Sequence, residues 1–175
     1  MADDQTGTFI HPQSWSRERG HAKGINIMST TSLLAGVAGE YFVAAELSRR
    51  GFIASITLRN TRGIDIVATN KDAKRTITIQ CKTSRNDAKQ WLLGDRSEDF
   101  HADTHFYVFV DLHGDLERPS YHIVPSETVA TTIKESHSAW LKASGRDGRP
   151  HKDSSMRKFS DKGDEYLERW ELLGL

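Results

Sequence analysis

The sequence predicts an α/β domain, and three stretches carry that expectation. From Ser32 to Arg50, apolar residues recur on one arc of a helix. From Gly63 to Ser84, two runs of alternating residues fold back on each other across a polar turn, which is a hairpin pattern. His105 to Asp111 is a nearly continuous apolar run, the pattern of a strand buried on both faces.

The chain has 175 residues, 37% of them hydrophobic and 27% charged. That length suits one domain with a proper core. Residues 1–28 are polar and hold no lasting period, so they read as a flexible N-terminal arm, and 29–175 reads as a single domain. No apolar run approaches the ~20 residues that span a bilayer. The start lacks the pattern of a secretory signal, which predicts a cytoplasmic address and no membrane partner. The single cysteine, Cys81, excludes an internal disulfide and a multi-cysteine zinc site. Net charge is zero, so nucleic-acid binding would rest on local basic patches.

The first helix has N-cap candidates in Ser29–Ser32 and ends at Arg50, with Gly51 as the residue that stops it. Successive residues about 100° apart put Leu33, Leu34, Val37, Tyr41, Ala44 and Leu47 on the packing arc. Glu40 falls inside that arc, and Glu46, Arg49 and Arg50 fall opposite. A carboxylate on a packing face is costly unless paired, hydrogen-bonded or metal-bound. Gly36 and Gly39 would let another backbone come close. Phe42 on the polar side hints at a homodimer contact.

Strands are expected over 52–58, 64–69 and 76–83. The turn Arg59–Gly63 carries Arg59 and Arg62, two candidate phosphate contacts. Centring the hairpin between Asp72 and Ala73 puts Asp65 opposite Gln80, with Lys82 as the diagonal neighbour. Gln80 and Lys82 share one face, while Ile77, Ile79 and Cys81 share the other. An acid, an amide and a lysine on one patch make a candidate metal-and-water site. Cys81 reads as a small buried hydrophobe.

Trp91–Leu93 is a short strand or the anchor of an excursion, and His105 opens the next strand rather than joining His101 in a zinc site. A further strand ends at Pro125. A helix follows over 127–142, with Ser126 as its N-cap. Residues 143–159 read as a loop. With Lys142 and Lys158 at its ends, it carries Arg146, Arg149, Lys152 and Arg157, against Asp147 and Asp153. It is either solvated surface or a phosphate-contacting loop, with Arg146, Arg149 and Lys152 as candidate contacts. A last helix is expected from Asp161 to Leu173, docking Tyr166, Leu167, Trp170 and Leu173 on the core.

In Gly36-Val-Ala-Gly-Glu40, Gly63-Ile-Asp65 and Gln80-Cys-Lys82, in that element order, the chain resembles the PD-(D/E)XK nuclease superfamily. The likeness is to the branch with Holliday-junction resolvases and type IV restriction enzymes, where an early helix contributes a Glu and some members have Gln-x-Lys. Ile64 stands where the name-giving proline would be, and Gln80 replaces the acidic residue. The resemblance implies a restriction-endonuclease-like three-layer core, a mixed central β-sheet of about five strands flanked by helices. It implies a Mg²⁺-dependent nuclease, with Mn²⁺ as a substitute, acting on DNA, and many nucleases of this fold act as dimers. Asp65, Gln80, the Cys81 main-chain carbonyl and Glu40 would hold the cation, whose hard character suits oxygen donors. Lys82 would orient the attacking water or stabilise developing charge. The alternative is a non-catalytic module that keeps the fold, for nucleic-acid binding or protein interaction. A third reading makes Asp65, Gln80 and Lys82 an exposed polar group on a half-solvated sheet.

Overall fold

The computed structural model describes residues 31–58, 63–114, 117–145 and 148–175. The expected arm, Arg59, Arg62 and Arg146 lie outside the described residues.

Helix α1 (Ser32–Arg49) is capped by Thr31, whose hydroxyl accepts the Leu34 N–H at 3.3 Å. It ends at Gly51, which adopts φ +89°, a left-handed conformation that costs glycine nothing. Its buried face differs from the expected arc. Ala35, Gly39, Val43, Glu46 and Leu47 are buried, whereas Leu33, Leu34 and Tyr41 are exposed, as is Phe42. The small residues Ala35 and Gly39 let the helix sit close to the sheet, and the larger apolar side chains are left outside. The buried carboxylate is therefore Glu46, expected on the polar side. Arg118 and Arg49 each reach it, at 2.9 and 3.0 Å. Burial works to raise its carboxyl; hydrogen bonding to Arg49 and the charges of Arg118, Arg49 and Arg50 outweigh that and hold it below the usual range.

Strands β1 (Ile53–Ile56), β2 (Ile66–Thr69) and β3 (Thr76–Ser84) form an antiparallel meander. After β4 (Gln90–Gly94) comes β5 (His105–Asp111), which lies parallel to β3, and β6 (Ser120–Pro125) returns antiparallel to β5. The sheet order is β1-β2-β3-β5-β6, a mixed five-stranded sheet. Every residue of β5 is buried, as its apolar run requires. Helix α2 (Ser126–Lys142) starts directly after Pro125. Ser126 is its first residue and not its cap, because its hydroxyl is spent on Ala102, donating to that carbonyl at 3.1 Å and accepting from that N–H at 3.0 Å.

Two apolar clusters divide the molecule into layers. Val43 and Leu47 of α1 pack on Ile77, Ile79, Cys81, Val108 and Ile123 from one side. On the other side Tyr107, Phe109 and Val124 meet Val129 and Ile133 of α2 with Trp91 and Phe159. Phe159 belongs to β7 (Met156–Ser160), which pairs antiparallel with β4. The segment expected to be a loop through 159 thus ends in a strand, and Trp91–Leu93 lies in its partner strand.

The expected C-terminal helix is absent. Asp164 and Glu168 both take positive φ, 57° and 55°, which interrupts helical geometry. The Glu168 N–H donates to Tyr121 at 2.7 Å, and the Ile123 N–H donates to Tyr166 at 3.0 Å, so the segment bridges the β6 edge. Asp161 organises the turn. Its carboxylate accepts the N–H groups of Glu165 and Tyr166, each at 3.0 Å, and contacts His122 Nδ1 at 2.7 Å. Only Trp170–Leu173 forms a short 3-10 turn, which buries Trp170 and Leu173 against the α1 side of the core.

Candidate active site

Alternation along β3 decides which side chains meet. Ile77, Ile79 and Cys81 are buried on the α1 side, and Thr78, Gln80 and Lys82 between them are half-buried. Gln80 and Lys82 lie beside Tyr107 and Phe109 of β5 in register, so they point toward the α2 layer. The set is not an exposed polar group on a half-solvated sheet: Asp65, Gln80 and Lys82 are all half-buried, and both faces of the sheet are covered.

The β2–β3 register pairs Ile66 with Ile79, which agrees with a hairpin centred between Asp72 and Ala73. At Asp65 the ladder changes. The Asp65 N–H donates to Ile79 O at 2.8 Å, and the Asp65 Oδ2 accepts the Cys81 N–H at 2.7 Å. Asp65 therefore spans Gln80 from both sides rather than sitting simply opposite it. Its carbonyl accepts the Thr57 N–H at 2.9 Å, and the Ile64 carbonyl accepts the Thr57 hydroxyl at 2.7 Å. Gly63 precedes it at φ +68°, and a Cβ there would stand 2.7 Å from the Phe100 ring. Glycine is thus required twice over at the entry to the site.

Burial raises the Asp65 carboxyl above its ordinary range, against the Cys81 N–H and the Lys82 charge, which both lower it. The Cys81 thiol is pushed well up, by burial first and then by the charges of Asp65 and Glu40, with Lys82 opposing. One sulfur atom thus senses all three charged members of the predicted site. The thiol itself is a core group, 8% exposed, as expected from its parity with Ile79.

Glu40 reaches this point from the other side of β3. Helix α1 packs on the Cys81 face, not on the Gln80 and Lys82 face that the expected arc implied. Gly39 fixes the approach: a Cβ at this position would lie 2.0 Å from the Thr83 hydroxyl oxygen. That close contact sets Glu40 beside the end of β3.

Cys81 N–H and C=O both point toward β2, because Ile79 O, two residues earlier, accepts from Asp65. The backbone carbonyl of Cys81 is then directed to the strand end where Asp65 stands. Asp65, Glu40, the Gln80 amide and this carbonyl all offer oxygen donors, while among the described residues no group of three or more His, Cys, Asp or Glu gathers that could hold a metal ion. Oxygen donors, with a desolvated carboxylate among them, are the donor type that a hard divalent ion takes.

Arg149 and Lys152 are exposed on the loop between α2 and β7, away from strands β2 and β3 in sequence and layer. Thr83, at the strand end, was legible as a hydrogen-bonding neighbour of the site, whereas Tyr107 and Phe100 were not picked out from sequence. Tyr107 lies beside Gln80, and its phenol is raised by burial, with the Asp65 charge adding to the rise. Thr83 receives Gly39, and Phe100 covers Gly63. Of Tyr107 and Phe100, only Tyr107 carries a visible signal, a hydroxyl within an apolar run.

No protein-family model and no curated protein matches the chain. Solved structures do. The bacterial homing endonuclease I-Ssp6803I superposes with a TM-score of 0.51 at 14% identity, over 82% of this chain and 92% of that one. Hjc, a Holliday junction resolvase from the archaeal hyperthermophile Archaeoglobus fulgidus, gives a TM-score of 0.41 at 14% identity, over 72% and 84%. With the mixed sheet and the helix on each side, the first of these likenesses shows a restriction-endonuclease-like fold. Among the described residues, no helix is long and apolar enough to cross a membrane.

Proposed function

We propose that this protein is a metal-dependent nuclease that hydrolyses phosphodiester bonds in DNA. The observation that carries this reading is the placement of Asp65. Its carboxylate is desolvated, fixed to the Cys81 N–H at 2.7 Å, and within the field of Lys82. The fold shared with a homing endonuclease supports it.

Asp65 and Glu40 would hold a Mg²⁺ ion together with the Gln80 amide oxygen and the Cys81 carbonyl, and Mn²⁺ would substitute. Such an ion offsets phosphate charge and acidifies a bound water. Lys82 supplies a fixed positive charge beside Asp65, suited to orienting the attacking water or to steadying charge on the phosphate oxygens. Thr57 and Ile79 hold the Asp65 backbone, so the carboxylate needs little reorganisation. Arg149 and Lys152, with Arg59, Arg62 and Arg146 outside the described residues, are the proposed phosphate contacts.

Purified protein incubated with linear, branched and single-stranded DNA in Mg²⁺ or Mn²⁺ tests the reading. Cleavage that requires the cation and disappears in Asp65→Ala is expected, and cleavage indifferent to Asp65→Ala removes the site assignment. One observation favours a second reading. Gln80 is neutral, which leaves Asp65 and Glu40 as the only charges of the donor set, and a non-catalytic nucleic-acid-binding or protein-interaction module would tolerate that. Calorimetric titration with Mg²⁺ separates the two, since the module has no need of a cation at Asp65.

A further inference from the structure

A second feature stands apart from the Asp65 group. A cleft of about 390 Å³ lies between α2 and β7, in the layer that covers the Gln80 and Lys82 face. His137 and Trp140 line it from α2, and Met156, Arg157 and Lys158 line it from β7. Trp140 is 42% exposed and Met156 57% exposed, and both contribute apolar surface to this cleft.

The Trp140 indole belongs to a column of flat rings. The His151 ring stacks on it with centroids 4.1 Å apart and planes at 21°, and the His137 ring lies at 5.5 Å and 28°. The stack with His151 steadies the indole. Cationic side chains stand near the column. Lys158 lines the cleft, Lys142 is exposed at the end of α2, and Arg149 and Lys152 are exposed on the loop between α2 and β7. The acidic residue nearby, Asp153, is engaged by His137 Nε2 at 2.8 Å. Arg157 is anchored by Glu98 and donates to the Ser154 carbonyl at 2.7 Å, which holds the cleft wall in shape.

We infer that this cleft binds an unpaired nucleotide of a single strand, its base added to the Trp140 column and its phosphates facing Lys158 and the basic loop. A volume of this size lies in the range that encloses one small planar ligand. Aromatic platforms beside cations suit single strands of any sequence, because every base presents a π-face. Duplex bases are already stacked on each other, so the site discriminates strandedness and not sequence. The inference rests on the nuclease reading and names the part of the substrate that would lie away from Asp65.

The test uses the full chain in EDTA, so that cleavage plays no part. Binding of a short fluorescein-labelled oligothymidine, and of the same strand annealed to its complement, is followed by anisotropy. The expected result is that Trp140→Ala weakens oligothymidine binding about tenfold, that Trp140→Phe retains it, and that duplex binding is unchanged in both. Circular dichroism verifies folding. Should Trp140→Ala fail to fold, Met156→Glu and Lys158→Glu alter exposed positions in the same cleft and should produce the same selective loss. Absence of oligothymidine binding by the wild type, unaltered binding in the cleft variants, or equal losses for single strand and duplex would each overturn the inference. A wild type that binds oligothymidine through Trp140 yet never cleaves with Mg²⁺ defeats the nuclease reading alone.

Discussion

Asp65 Oδ2 accepts the Cys81 N–H at 2.7 Å, at the point where the β2–β3 ladder ends at Ile66 and Ile79. A side chain takes over the role of a backbone acceptor there. The same contact fixes a desolvated carboxylate beside Gln80 and Lys82. Structure and chemistry therefore depend on one group, and substitutions can separate them.

Asp65→Asn keeps an oxygen able to accept from Cys81 and removes the charge. The expected outcome is a melting temperature close to wild type, with cleavage reduced by about three orders of magnitude or more. Asp65→Ala removes the acceptor as well and leaves the Cys81 N–H unpaired, which costs about 1–3 kcal/mol. Thermal melts and cleavage rates on the two variants check both halves. Equal melting temperatures for Asn and Ala would show that the Cys81 contact contributes nothing to stability.

Gln80→Glu places an acidic residue between the two backbone contacts of Asp65. Without a divalent cation, a second carboxylate beside one already raised by burial is unfavourable. The variant should therefore melt below wild type in EDTA by about 1 kcal/mol of stability. With Mg²⁺ the added charge becomes a ligand, and affinity should rise about tenfold or more. Calorimetric titration and melts with and without Mg²⁺ measure this crossover. If Mg²⁺ brings no relative recovery, Gln80 does not face a cation.

Gly36 and Gly39 look equivalent in the sequence and are not. A Cβ at Gly39 would meet the Thr83 hydroxyl oxygen at 2.0 Å and its Cβ at 3.1 Å, whereas a Cβ at Gly36 has nothing within 4 Å. Gly39→Ala should cost about 1–3 kcal/mol through overpacking and reduce cleavage by shifting Glu40. Gly36→Ala should stabilise by about 0.5–1 kcal/mol through helix propensity. Urea denaturation of both variants, with Thr83→Ala added to Gly39→Ala as a partial rescue, tests the contact.

These cases show what the residues reveal by themselves. Strand alternation announced that Cys81 faces one side of the sheet and Gln80 and Lys82 the other, because a period of two leaves no freedom once Ile77 and Ile79 share a face. The hairpin centre followed from its polar turn. The α1 face was hidden, because apolarity pointed to Leu33, Leu34 and Tyr41 while packing used Ala35 and Gly39, whose small size is the reason they are buried. Tyr166, Leu167 and Trp170 had helical spacing, yet Asp161 and the β6 edge supplied stronger hydrogen-bond partners for that backbone. Such partners are distant in sequence, so no local pattern announces them.

His105 offers a pH dependence with a definite sign. It is 4% exposed, its Nδ1 lies 2.8 Å from the Thr78 hydroxyl, and burial, only partly opposed by Thr78, lowers its pKa to about 4. In the unfolded chain an ordinary histidine titrates near 6.5. Between those values the unfolded state binds more protons than the folded one, so stability rises with pH. The contribution is fully present above about pH 6.5 and is lost as pH falls toward about 4, an effect on the order of 2–3 kcal/mol. His105→Asn keeps a side chain able to bond Thr78 and removes the titration. Urea midpoints measured across this range should fall more steeply for wild type than for His105→Asn. Parallel curves for the two proteins would mean that His105 is not held neutral by the fold.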